Sequence, residues 1–185
     1  AAVYLVFGPY PLAARLLQAL LCSLMPVPIY QLTRRLLDGS QRWEGQKGSV
    51  ALVAAGLTAF YPPFVYYAGV LMTEGIYLLV AAWALAATVA LAQDSSNRRW
   101  GLWGLAVGLT ILLRQVFLPI AALLGLYVLW QHKWRVRVRD LALAGGVVAA
   151  LILPWTVRNY LVFDRFLLLN SQSGQILWNA NHPAH

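Results

Sequence analysis

The sequence is poor in charge, and poorest in acid. Asp, Glu, Lys and Arg together make up 11% of its 185 residues, where soluble domains carry about 25%. Six acidic residues stand against fourteen Lys and Arg, for a formal net charge of +8. The single cysteine, Cys22, sits in an apolar run, so a disulfide framework and a cysteine metal site are both excluded. Neither standard glycine-rich phosphate loop occurs, nor a His-Glu-x-x-His pair, nor a Gly-x-Ser-x-Gly elbow. His182 and His185 lack a carboxylate at ligand spacing and make a poor metal site. Low-complexity tracts and internal repeats are absent too. No basic stretch precedes the first apolar run and no Met precedes Ala1, which reads as an internal fragment rather than a signal peptide.

What the sequence has in abundance is apolar surface. Apolar residue types reach 61%, and aromatics 12%. A soluble domain of this length could not bury that much, and disordered chains lack such residues. The composition predicts an all-α polytopic membrane protein. Long stretches without an ionisable Asp, Glu, Lys or Arg cover 16–33, 48–73, 75–93, 100–113, 115–131 and 141–157. Several of them are near or below the roughly 17 residues that a span requires at minimum.

Loop charge resolves the topology. Ten of the fourteen basic residues fall in three short segments: Arg34, Arg35, Arg42 and Lys47; Arg98 and Arg99; and Lys133, Arg135, Arg137 and Arg139. The positive-inside rule assigns all three to the cytoplasm, so the chain crosses an even number of times between them. The stretch 102–131 must then go out and return, turning near Arg114. The stretch 48–93 must also turn outside, and Tyr61-Pro62-Pro63 supplies the break because consecutive prolines cannot continue a helix. Six crossings are predicted, at about 11–36, 48–61, 72–93, 100–113, 115–131 and 140–154, with both ends (1–10 and 155–185) extracytoplasmic. Gly101, Gly104 and Gly108 are candidates for close helix contact. Basic loops beside spans suit lipid headgroups rather than nucleic acid.

Once those loops are set aside, few ions remain: Arg15, Glu74, Arg114, Arg158, Asp164 and Arg165, all near the outer ends of the predicted crossings. Ions in or next to a membrane segment are costly and commonly mark a substrate site. Guanidinium groups beside Tyr- and Trp-rich loops suit an anionic headgroup, because Arg can hold phosphate through two parallel hydrogen bonds. Plainer roles exist for each. Glu74 follows Thr73 at the start of a span, where the helix dipole favours a carboxylate. Arg114 can snorkel to the interface, Arg15 can pair with lipid phosphate, and Asp164-Arg165 reads as a solvated turn.

Several segments resemble one group of membrane enzymes. They are Pro11-Leu-Ala-Ala-Arg-Leu-Leu-Gln-Ala-Leu20 with Tyr30-Gln-Leu-Thr-Arg-Arg-Leu36, and Phe60-Tyr-Pro-Pro-Phe-Val-Tyr-Tyr-Ala-Gly69 with Leu71-Met-Thr-Glu-Gly75. Leu153-Pro-Trp-Thr-Val-Arg-Asn-Tyr160, Val162-Phe-Asp-Arg-Phe166 and Leu177-Trp-Asn-Ala-Asn181 complete the set. This pattern resembles the GT-C type of integral-membrane glycosyltransferase, in the branch of the protein O-mannosyltransferases and the lipid A aminoarabinose transferase. The resemblance implies an inverting transferase of the cell (inner) membrane that takes a sugar from a polyprenyl-phosphate donor on the outer face. An acidic residue of the first outer loop would deprotonate the acceptor hydroxyl, and nearby cations would stabilise the leaving lipid phosphate.

On that resemblance, Glu74 is an orienting or metal-binding carboxylate, and Arg114 and Arg158 are the cations facing the donor phosphate. Tyr66, Tyr67, Trp155 and Asn159 would shape the pocket. The first helix and the loop with the catalytic base are expected before Ala1, so the fragment alone should be inactive. A divalent cation is possible, and a protein, lipid or glycan acceptor all fit. A transporter or flippase of a lipid-linked sugar would also need cations at a headgroup. It would, however, place ions at mid-membrane depth within repeated, interrupted helices. A non-catalytic helical scaffold is the third reading.

Overall fold

The computed structural model describes residues 11–169 and residue 178. The terminal segments expected at 1–10 and from 170 onward, with His182, His185 and most of the 177–181 stretch, lie outside the described residues. Within them the chain is helical, without strands.

The first predicted span is a pair of helices, α1 (Pro11–Cys22) and α2 (Pro26–Leu36), that together form one candidate span of 26 residues. Pro26 and Pro28 remove two amide donors at the junction. The backbone there closes with shorter bonds, Met25 N to Cys22 O and Val27 N to Leu24 O. A short 3-10 turn, Gln41–Trp43, leads into α3 (Lys47–Ala59). Tyr61-Pro62-Pro63 breaks the chain as predicted. The prolines then begin a new helix, α4 (Pro62–Gly69), bent 50° from α3, because a proline in the first turn lacks only an amide that would be unpaired anyway.

The remaining helices are α5 (Thr73–Gln93), α6 (Asn97–Leu113), α7 (Phe117–Gln131) and α8 (Val138–Phe163). Against the six crossings predicted, three described helical segments are long and apolar enough to span alone, or four if the bent α3–α4 pair counts as one. The shortfall is geometric. The turn at Arg114 divides the apolar chain between two basic loops into helices of 17 and 15 residues, too short to cross about 30 Å alone at 1.5 Å per residue. They form a helical hairpin: Trp103 of α6 lies beside Gly125 of α7, with the connection at residues 114–116. The last helix also differs from expectation. It runs past 154 to Phe163, with Pro154 inside it, a placement that membrane helices tolerate because neighbouring groups re-satisfy the freed carbonyl. Asp164 then closes it in the left-handed conformation, φ 50°.

The core is built around α6, which packs most extensively on α8 and then on α5. Two of the three candidate glycines explain the α6–α8 contact. A Cβ on Gly104 would sit 2.7 Å from the Ala144 carbonyl oxygen, and one on Gly108 would lie 2.7 Å from a Leu151 methyl and 3.3 Å from the Val148 Cα. Gly101 does not share this role; its Cβ position meets nothing within 4 Å. The matched steps 104 to 108 and 144 to 148 show that α6 and α8 run parallel. On the other side, the Trp103 indole donates to Thr88 Oγ1 at 2.8 Å, and Trp103 packs edge-on against the fully buried Trp100.

The three basic segments converge on one end of this bundle. The Gln93 amide donates to the Arg35 carbonyl at 2.6 Å, joining the first to the second. His132 approaches the Leu91 carbonyl at 2.9 Å, joining the third. Arg99 bonds the Ala90 carbonyl and pairs with Asp94. The remaining ions lie towards the other end.

Candidate functional site

Glu74 stands in the first turn of α5, and Arg114 caps the C-terminus of α6. Because α5 and α6 are antiparallel, these two ends meet, and Arg114 forms an ion pair with Glu74 across 40 residues of sequence. Both side chains are partly exposed, at 42% and 32%. The Arg114 guanidinium also lies 5.6 Å from the centroid of the Tyr77 ring. Tyr77 in turn meets Phe117 edge-on. The first turn of α5, the end of α6 and the start of α7 thus form one cluster. Glu74 and Tyr77 are three residues apart and share a helix face, so the carboxylate and the ring grip the same cation. A guanidinium has five N–H donors, and among the described residues only Glu74 accepts from that of Arg114.

Arg158 projects from α8. It stacks 5.8 Å from the Trp155 ring and reaches the Asn159 side-chain oxygen at 3.4 Å. No carboxylate neutralises it among the described residues. With α6 and α8 in parallel register, Arg158 lies about one helical turn beyond the level of Arg114 at the same end of the bundle.

The other expected pocket residues divide. Trp155 is half-exposed beneath Arg158. Asn159 is buried: its amide donates to the Leu167 and Leu169 carbonyls, and its oxygen accepts from Arg158. Thr156 adds a 2.8 Å bond to the Leu168 carbonyl, so together they pin the chain that turns back after α8. Tyr66 and Tyr67 pack edge-on at 5.4 Å on α4. Tyr66 is exposed, while the Tyr67 backbone carries a structural load. Its carbonyl accepts from the buried Gln18 of α1 at 2.8 Å and lies 2.9 Å from where a Gly75 Cβ would be. Gln18 bonds the Val70 carbonyl as well. That anchors the α4–α5 turn immediately before Glu74. Arg15 stays on the exposed face of α1.

Two of these contributors were not identified from the sequence alone, Gln18 and Tyr77. Gln18 carried a usable signal, as an uncharged polar side chain in an otherwise apolar run. Tyr77 carried a weaker one, its three-residue offset from Glu74. No three His, Cys, Asp or Glu side chains gather among the described residues, and the Glu74 carboxylate is paired with Arg114.

The described residues thus form an all-helical, strongly apolar bundle with a carboxylate–arginine pair at the end opposite the basic segments. Residues 1–157 match the family model of dolichyl-phosphate-mannose-protein mannosyltransferases, and the chain belongs to that family. It is a multi-pass membrane glycosyltransferase of the GT-C type. No curated protein and no solved structure matches the chain.

Proposed function

We propose that this protein transfers a sugar from a polyprenyl-phosphate donor to an acceptor on the outer face of the cell membrane, with Arg114 and Arg158 receiving the donor phosphate. The observation that carries this reading is the Glu74–Arg114 pair, held over Tyr77 at the end of the bundle opposite the basic loops. In an inverting transfer the acceptor oxygen attacks the anomeric carbon while the bond from that carbon to the phosphate oxygen breaks. The acceptor proton passes to a carboxylate, and negative charge accumulates on the departing lipid phosphate. A fixed guanidinium is most useful where that charge grows, because its orientation is set before the reaction begins. Glu74 and the Tyr77 ring fix Arg114 in this way, so Glu74 acts as an orienting group and not as the general base. Arg158, stacked on Trp155 and free of any carboxylate partner among the described residues, supplies a second donor to the same phosphate. Tyr66 and Tyr67 line the approach from α4. A hydroxyl on protein, lipid or glycan suits the acceptor side equally.

The experiment is sugar transfer by the full-length membrane protein carrying Arg114→Ala or Arg158→Ala. Arg114→Ala should lower turnover about 10²–10³-fold, the usual consequence of removing one preorganised charge-stabilising donor, with membrane insertion intact. Unchanged turnover in both variants would remove the assigned roles.

A further inference from the structure

An apolar groove of about 370 Å³ opens between α2, α5 and α6, running from Arg35 and Arg99 along the helices to Val80 and Leu109. Its walls are alanines of α5, including Ala86 and Ala90, facing Leu102 and Leu105 of α6. The small α5 side chains leave the space, and the leucines, 51% and 41% exposed, present a greasy surface to it. Arg35 of α2 and Arg99 of α6 border the groove at the basic end of the bundle. Arg99 is balanced by Asp94. Arg35 is not: its guanidinium meets only the neutral Gln93 side chain, at 3.4 Å, among the described residues. A slot lined by hydrocarbon and ending at an uncompensated guanidinium complements a molecule with an acyl chain and a phosphate head.

We infer that this groove binds one anionic phospholipid of the cytoplasmic leaflet, its acyl chain against the Ala86–Ala90 wall and its phosphodiester on Arg35 and Arg99. The position separates this lipid from the sugar donor, since the groove's arginines stand at the opposite end of the bundle from Arg114. Charge adds selectivity, because the surrounding segments carry most of the protein's basic residues and anionic headgroups gather on the cytoplasmic side. The bound lipid would clamp α2 to the α5–α6 pair, supplementing the Gln93–Arg35 bond.

The test is native mass spectrometry and thermal unfolding of the full-length protein in detergent, titrated with phosphatidylglycerol or with phosphatidylcholine of the same chains. One phosphatidylglycerol should bind saturably and raise the unfolding temperature. Phosphatidylcholine should bind about tenfold more weakly, and inorganic phosphate should not compete. Arg35→Gln should erase the preference for phosphatidylglycerol, and Leu105→Trp should block both lipids by filling the groove. If Leu105→Trp does not fold, Leu102→Phe makes the same intrusion with less bulk and should weaken both. Equal binding of the two lipids, binding that survives Arg35→Gln and the blocking variant unchanged, or no lipid binding because another protein segment fills the groove would each overturn the assignment. None of these readouts depends on sugar transfer, so they stand or fall separately from the proposed activity.

Discussion

The two ends of the bundle use arginine in opposite ways. At the basic end it is plentiful, and much of the fixing is done by neutral groups: the Gln93 amide on the Arg35 carbonyl, His132 near the Leu91 carbonyl, and the Trp100 indole on Ser95. Most of the charge there is left at the surface, where redundancy makes each residue dispensable for setting topology. At the other end arginine is sparser, and two of its arginines are each held by more than one group. Arg114 is held by a carboxylate and a ring, and Arg158 by a tryptophan face and an amide.

That contrast can be broken most directly at Glu74. Glu74→Gln removes the charge that orients Arg114 but leaves the guanidinium, so transfer should fall about 10–100-fold, less than for loss of the donor itself. Because the two side chains act as a unit, the double variant Glu74→Gln/Arg114→Ala should be little worse than Arg114→Ala alone. Independent, multiplying effects would show that the pair does not work together.

A smaller and purely structural effect is expected midway between the ends. Gly104→Val places a Cβ against the Ala144 carbonyl and should force α6 from α8 at a cost of about 1–3 kcal/mol, read as a lower unfolding temperature in detergent. Gly101→Val, facing open space, should leave that temperature unchanged. Thr88→Val strands the buried Trp103 N–H and should cost about 1–3 kcal/mol by the same readout. Smallest of all, Arg139→Gln at the basic end should alter neither transfer nor insertion, since the other basic residues of the three segments still set the topology. A marked loss of transfer there would break the distinction between the two ends.

Features governed by local chemistry could be read before the structure. The Tyr61-Pro62-Pro63 break, the reversal near Arg114 and the three basic segments follow from proline geometry and the cost of charge in a bilayer. Glu74 and Arg114 stood out because little else at their end is ionisable. That they pair with each other could not be read, because the pairing depends on the register of α5 against α6 across 40 residues. The Gln18–Tyr67 bond, spanning 49 residues, was hidden for the same reason. Asn159 illustrates the converse. It lies in the distinctive Pro-Trp-Thr-Val-Arg-Asn-Tyr stretch and so suggested a pocket role, yet α8 extends beyond 154 and turns its amide onto the returning backbone. The helix continues to Phe163 with Pro154 inside it, which a membrane helix can tolerate where neighbours re-satisfy the freed carbonyl.

In the proposed reaction, an arginine fixed at the sparse end receives the charge of the departing lipid phosphate. The most direct measurement is single-turnover sugar transfer from a polyprenyl-phosphate donor by the full-length protein with Arg114→Ala, beside the parent protein and a check that both insert equally. The transfer step should fall about 10²–10³-fold. Transfer at the parent rate, with equal insertion, would contradict it.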